Sequence, residues 1–129
     1  MKKLITLFTL LLLVATSSFI YGQTNRTKTV RFKPGTSGAT YKDAVIRGET
    51  MTYILGARQG QTMEVKITAL ENNAVFQIKN QKTGKYLRGA GEGEDTRKWK
   101  GRLPSNGNYH IIVGGTRGNA SFTIKMMIK

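Results

Sequence analysis

The polar and apolar positions of this chain alternate with a period of two. Val30 and Phe32 alternate with Arg31 and Lys33; Met63, Val65, Ile67 and Ala69 with Glu64, Lys66 and Thr68; Phe76 and Ile78 with Gln77 and Lys79. Tyr109, Ile111 and Val113 share one side of a run whose other side holds His110 and Ile112. Phe122, Ile124, Met126 and Ile128 alternate with Thr123, Lys125, Met127 and Lys129. Successive side chains of a strand point to opposite faces, so each run offers one apolar wall to a core. Gly- and Asn-rich turn signals separate the runs, among them residues 34–38, 48–49, 59–60, 71–73, 82–84 and 114–119. Residues 40–47, 50–57 and 85–88 bring the total to about eight short strands, and no long stretch repeats at helical spacing. The expected fold is all-β: an antiparallel, jelly-roll-like β-sandwich. Val30, Phe32, Val65, Ile67, Phe76, Ile78, Ile111, Val113, Phe122, Ile124 and Met126 are the expected core. No linker divides the run of strands, and no repeat recurs at a fixed period. The longest irregular stretch, residues 89–107, is the place a rigid sandwich would carry a functional loop.

The amino terminus has a different pattern. Met1, Lys2 and Lys3 form a positive head, residues 4–14 an apolar run, and Ala15 to Ser18 a small-residue segment, with Gly22 and Gln23 at a plausible cleavage point. This is the three-part pattern of a secretory signal peptide. The alternative, an uncleaved anchor over residues 4–20, is barely long enough to cross a bilayer and carries Thr and Ser. Residues 1–22 are therefore read as a signal and residues 23–129 as one domain. That domain is exported to the periplasm or beyond, with no stable membrane insertion once cleaved.

Charge narrows the class of partner. The full chain of 129 residues has 21 Lys+Arg against 7 Asp+Glu, a formal +14; losing Lys2 and Lys3 leaves +12. Such a balance calls for a partner that is anionic, or anionic where touched. The absence of cysteine removes disulfides, thiol nucleophiles, Cys-ligated zinc and a lipoprotein anchor. Enzymatic chemistry has little to work with. His110 is the one histidine, lies mid-strand and has no acid near it in sequence. No nucleophile elbow, metal-binding His pair or phosphate loop is present, so neither a cofactor nor a metal is expected.

Three segments remain as candidates. Glu92, Glu94 and Asp95 form an acidic turn that lacks the spaced ligands of an EF-hand, so a solvated turn is favoured over a calcium loop. The run from Arg97 through Lys98, Trp99, Lys100 and Gly101 to Arg102 is the densest basic stretch. Its tryptophan can stack on a base or sugar, but alternation favours a strand with Trp99 inward and the cations in water. Arg117 sits at the tip of the last hairpin, where a rigid turn would present it to another protein.

In order, these segments resemble the periplasmic inhibitors of g-type (goose-type) lysozyme. The resemblance runs through Val30, Arg31 and Phe32 with Gly35 and Ser37; Tyr41 and Ile46 to Gly48; Thr52 and Tyr53 with Ala57, Gly60 and Gln61; Leu103 and Pro104 with Gly107 and Tyr109; and Thr116 and Arg117 with Ala120. It covers most of residues 23–129. The Leu-Pro-x-x-Gly-x-Tyr run is also similar to bacterial pre-peptidase C-terminal domains, so it bears on fold more than on activity. The resemblance implies an exported, non-enzymatic inhibitor that places loop residues in the acidic cleft of a g-type lysozyme. It implies Arg117 and Tyr53 as anchors, with Thr116 beside Arg117 and Ser105, Asn106, Gly107 and Asn108 as a supporting loop. One departure stands out: the family's second arginine falls near Ser121. A competing class is a basic binding module for anionic polysaccharide, lipopolysaccharide or nucleic acid; a third is a carbohydrate-binding sandwich that would depend on Trp99.

Overall fold

The structure, a computed structural model, describes residues 24–129; the expected signal peptide lies outside them. The described chain is all-β, in the order β1 (Asn25–Thr29), β2 (Gly38–Val45), β3 (Thr50–Ala57), β4 (Thr62–Ala69), β5 (Ala74–Asn80), β6 (Lys85–Tyr86), β7 (Lys98–Arg102), β8 (Gly107–Gly115) and β9 (Ala120–Ile128). Two sheets form, a five-stranded one ordered β1-β3-β8-β5-β6 and a four-stranded one ordered β2-β9-β4-β7. The alternating faces meet between them. Ile78, Ile111, Met63, Val65, Ile124 and Met126 are wholly enclosed. Burying such a side chain contributes about 1.5–3 kcal/mol. That is how a cysteine-free chain of this size holds together.

The core matches expectation except at Phe32, which is half-buried and packs against it from the side. The first strand also lies elsewhere. Periodicity placed it at Val30 and Phe32, whereas β1 is the polar segment just before them, with Val30 closing its end. β1 runs parallel to β3, from Asn25 opposite Thr50 to Thr29 opposite Ile54, the one parallel pairing among otherwise antiparallel ladders. A parallel pair needs a crossover, which β2 supplies by passing through the other sheet. β1 has no apolar alternation because its inward side chains meet polar ones. Arg26 forms ion pairs with Asp43 (3.2 Å) and Glu49 (3.0 Å), and the Lys28 ammonium lies 4.8 Å above the Tyr41 ring.

β7 is the strand that alternation favours in the Arg97 to Arg102 run, inside the otherwise irregular stretch of residues 89–107. Trp99 pairs with Val65 and packs against the core. Its indole N–H donates to the Arg88 carbonyl (2.9 Å), and its ring lies over Gly101. A Cβ on Gly101 would fall 2.7 Å from that ring, so glycine is what lets the tryptophan lie flat along its own strand. Lys98, Lys100 and Arg102 point to solvent.

Candidate functional site

Strand direction sorts the turns to the two ends of the sandwich. At one end lie the β2–β3, β4–β5 and β8–β9 turns, and with them Arg117. Arg117 is exposed in the turn that joins β8 to β9, beside Thr116. β8 and β9 belong to different sheets and do not pair, so the expected hairpin is instead an arch that crosses from one sheet to the other. The arch is fixed from below. The buried Asn73 grips both of its arms: its carbonyl accepts from the Thr116 N–H and its side-chain amide donates to the Asn119 carbonyl, both at 2.9 Å. The Asn119 side chain in turn accepts from the Arg47 N–H (2.9 Å), tying in the β2–β3 turn. Gly118 sits at φ +92°, and a Cβ on Gly115 would come within 2.3 Å of the Gly118 carbonyl oxygen. The arginine side chain is exposed, and the backbone that carries it is set by its neighbours.

Two large apolar side chains stand exposed among the described residues, and both belong to this end. Leu70 is fully exposed just past β4, and Ile46 is 59% exposed just past β2. They flank a shallow groove floored by Ala44, Ala120 and Ser121. Ser121 is the position where the resemblance would put a second arginine. Sequence reasoning missed this pair because each stands at the end of a run, directly after an inward residue, Val45 or Ala69. The signal available was that each falls on the outward parity, in step with Lys42 and Ala44 or with Lys66 and Thr68.

Ser105, Asn106, Gly107 and Asn108 lie at the opposite end. Arg117 leaves β8 at its far terminus, about 27 Å away at 3.3 Å per residue. The 105–108 loop therefore cannot support Arg117. Its polar groups are engaged locally: Asn106 Oδ1 accepts from the Gln59 N–H (2.7 Å), Ser105 Oγ from the Asn80 amide (3.0 Å), and the Asn108 carbonyl from the Gln81 N–H (3.1 Å). The Tyr109 hydroxyl donates to the Ser105 carbonyl (2.7 Å) and accepts from its N–H (3.2 Å). With Leu103 buried, these bonds explain the Leu-Pro-x-x-Gly-x-Tyr run as a structural corner.

Tyr53 also departs from expectation. It is 0% exposed, on the inward parity of β3 with Met51 and Leu55. Its ring centroid lies 5.2 Å from that of Tyr41 and meets Phe122 edge-on at 6.5 Å. It has no surface to give a partner. Its hydroxyl is buried without a hydrogen-bond partner among the described residues. Burial first, and then the Asp43 carboxylate, push its pKa up to about 12.

His110 faces outward from β8 between Ile54 and Lys79. Partial burial and the Lys79 ammonium lower its pKa, so it is neutral at pH 7. In the acidic turn, Glu94 accepts from the Gly91 N–H (2.6 Å) and Glu92 from the Tyr86 hydroxyl (3.2 Å). These carboxylates close the loop on itself. Among the described residues no group of three His, Cys, Asp or Glu is arranged to hold a metal.

No protein-family model matches the chain, and no curated protein matches it by sequence. Solved structures do. Aeromonas hydrophila PliG, a periplasmic inhibitor of g-type lysozyme, superposes with a TM-score of 0.71 at 27% identity, over 84% of this chain and 100% of that one. The chain resembles the periplasmic inhibitors of g-type lysozyme. Salmonella Typhimurium PliG gives 0.66 at 23% identity, over 82% of this chain and 100% of that one, a likeness of fold. The pre-peptidase C-terminal domain of a Bacillus anthracis collagenase gives 0.56 at 12% identity, over 86% of this chain and 100% of that domain. That too is a likeness of fold.

Proposed function

We propose that this protein is an exported inhibitor of g-type lysozyme, kept in the periplasm or released beyond it after loss of residues 1–22. The observation that carries the reading is the match along the whole of Aeromonas hydrophila PliG at 27% identity. Arg117 stands exposed on a buttressed arch between the two sheets and is free to enter a cleft. A glycosidase cleft holds carboxylates. An arginine fork binds a carboxylate through paired, charge-assisted hydrogen bonds and stays ionised when water is excluded. Ile46 and Leu70 add the apolar contact that an interface centre needs. They take the place here of the second cation, since Ser121 sits between them on the groove floor. The protein acts by occlusion, not catalysis. Tyr53 contributes by supporting β3 from inside, and Ser105 to Asn108 by holding the far end of the sandwich.

The test is clearing of a peptidoglycan suspension by g-type lysozyme, with c-type lysozyme as control. The exported, processed protein is expected to slow the g-type enzyme alone, and Arg117→Ala to inhibit at least tenfold less well. Equal inhibition of both enzymes would refute the reading, as would none at micromolar protein.

A further inference from the structure

The charge of this protein is not spread evenly over its two sheets. The outward positions of the four-stranded sheet carry Lys42, Lys66, Lys98, Lys100, Arg102 and Lys125, all exposed, against the single acid Glu64. The strands β3, β8 and β5 of the other sheet turn Thr52, Ile54, Ile112, Gln77 and the neutral His110 outward, with Lys79 as their one cation.

Register sharpens the contrast. Lys66 on β4 lies directly opposite Lys98 on β7 and directly opposite Lys125 on β9, giving an unbroken row of lysines across three neighbouring strands. Strands are about 4.8 Å apart, so the row is roughly 10 Å long. Lys42 stands diagonally beyond Lys125 on β2. Lys100 and Arg102 continue from Lys98 along β7, at right angles to the row. Like charges directly opposite one another oppose strand pairing. None of these lysines has an ion pair among the described residues, where Arg26 holds both that occur. A fold does not need this arrangement; threonine would suit each position better.

We propose that this face is a second binding surface, for the phosphate headgroups of an anionic lipid leaflet, independent of the Arg117 end. The cations spread in two directions over an open sheet face, which a planar array of phosphates meets all at once and a single polymer strand does not. No aromatic ring lies among them to stack on bases, which is how single-stranded nucleic acid is held. They are lysines in all positions but one, and lysine is a compact, hydrated point charge suited to headgroups that keep their water. A bound protein would lie with this sheet on the leaflet and its turns at the sides, leaving the Arg117 end open.

The experiment is co-sedimentation of the exported, processed protein with vesicles of phosphatidylcholine containing three parts in ten phosphatidylglycerol, against pure phosphatidylcholine. Binding is expected only to the anionic vesicles, and is expected to vanish between low salt and about 0.5 M, where the screening length falls below the reach of a lysine. The triple variant Lys66→Thr, Lys98→Thr, Lys125→Thr should bind about a hundredfold more weakly. Lys33→Thr, Lys82→Thr, Lys85→Thr, which removes the same charge elsewhere, should lose tenfold or less. If the first triple variant melts early, Lys66→Thr alone should still lose about fivefold. Equal losses in the two triple variants would overturn the proposal. So would equal binding to uncharged vesicles, no binding at low salt, or capture of dextran sulfate through the same lysines without capture of vesicles. Lysozyme inhibition is read in parallel and does not depend on any of these outcomes.

Discussion

Two tyrosines with opposite circumstances allow one chemical change to be read in both directions. Tyr53 and Tyr109 are both wholly buried, on neighbouring strands of one sheet. The Tyr109 hydroxyl makes two hydrogen bonds to the Ser105 backbone, at 2.7 and 3.2 Å; the Tyr53 hydroxyl makes none among the described residues. A buried hydroxyl without a partner costs about 1–3 kcal/mol in desolvation. Deleting it leaves a void of roughly 10 Å³, worth about 0.2 kcal/mol at the usual cavity coefficient. Tyr53→Phe should therefore stabilise the protein by about 1–2 kcal/mol, raising Tm by roughly 4–10 °C. Tyr109→Phe strands the Ser105 groups and should destabilise by about 1–3 kcal/mol. Alkaline pH gives a second reading. The Tyr53 pKa is raised to about 12 in the folded protein, against 10.0 for a free tyrosine. Above pH 10 the unfolded chain loses this proton while the folded one keeps it, so stability falls as pH rises from 10 to 12. The loss reaches about 2–3 kcal/mol at pH 12. Tyr53→Phe should remove that component of the slope. Thermal melts of the three proteins at pH 7 and pH 11 are the assay, with lysozyme inhibition as a side reading that Tyr53→Phe should leave unchanged. A Tm lowered by several degrees in Tyr53→Phe would show that the hydroxyl is satisfied, and would refute the reasoning. Loss of inhibition without loss of stability would return Tyr53 to the interface.

Other substitutions separate presentation from contact. Asn73→Ala removes the clamp under the Arg117 turn, and should cost about 1–3 kcal/mol in chemical denaturation while raising the inhibition constant of a protein whose Arg117 is intact. Trp99→Ala should cost about 2 kcal/mol of stability, because the indole covers the core edge, and should leave lysozyme inhibition unchanged. Lys66→Thr should raise stability by about 0.5–1 kcal/mol at low salt by relieving repulsion from Lys98 and Lys125, with the gain shrinking as salt is added.

The sheets were legible where one side of a strand is oily and the other wet. β4 carries that contrast in full, and β5, β8 and β9 carry it apart from Val75, Ile112 and Met127 on their outward sides; the apolar residues the alternation names in these strands all point inward. β1 was not legible, because an edge strand facing Asp43, Glu49 and Tyr41 has no apolar side to reveal it. The exposure of Arg117 could be read from its Gly-rich turn, but not that the turn crosses between sheets instead of closing a hairpin. Where the other site residues lie could not. Tyr53 sits in a segment with apolar residues on both parities, Met51 and Leu55 on one and Ile54 on the other, so periodicity alone does not say which way it points. That Ser105 to Asn108 stand a full strand length from Arg117 follows from the direction of β8, which a list of motifs does not contain. Ile46 and Leu70 became visible only once the turns that carry them were brought to one end.

Which end of the sandwich meets the enzyme is tested most directly by amide hydrogen exchange of the protein alone and with saturating g-type lysozyme. Slowed exchange is expected in the turns at residues 46–49, 70–73 and 115–119, with residues 103–108 unchanged. Protection centred on residues 103–108, or no protection anywhere, would contradict the account.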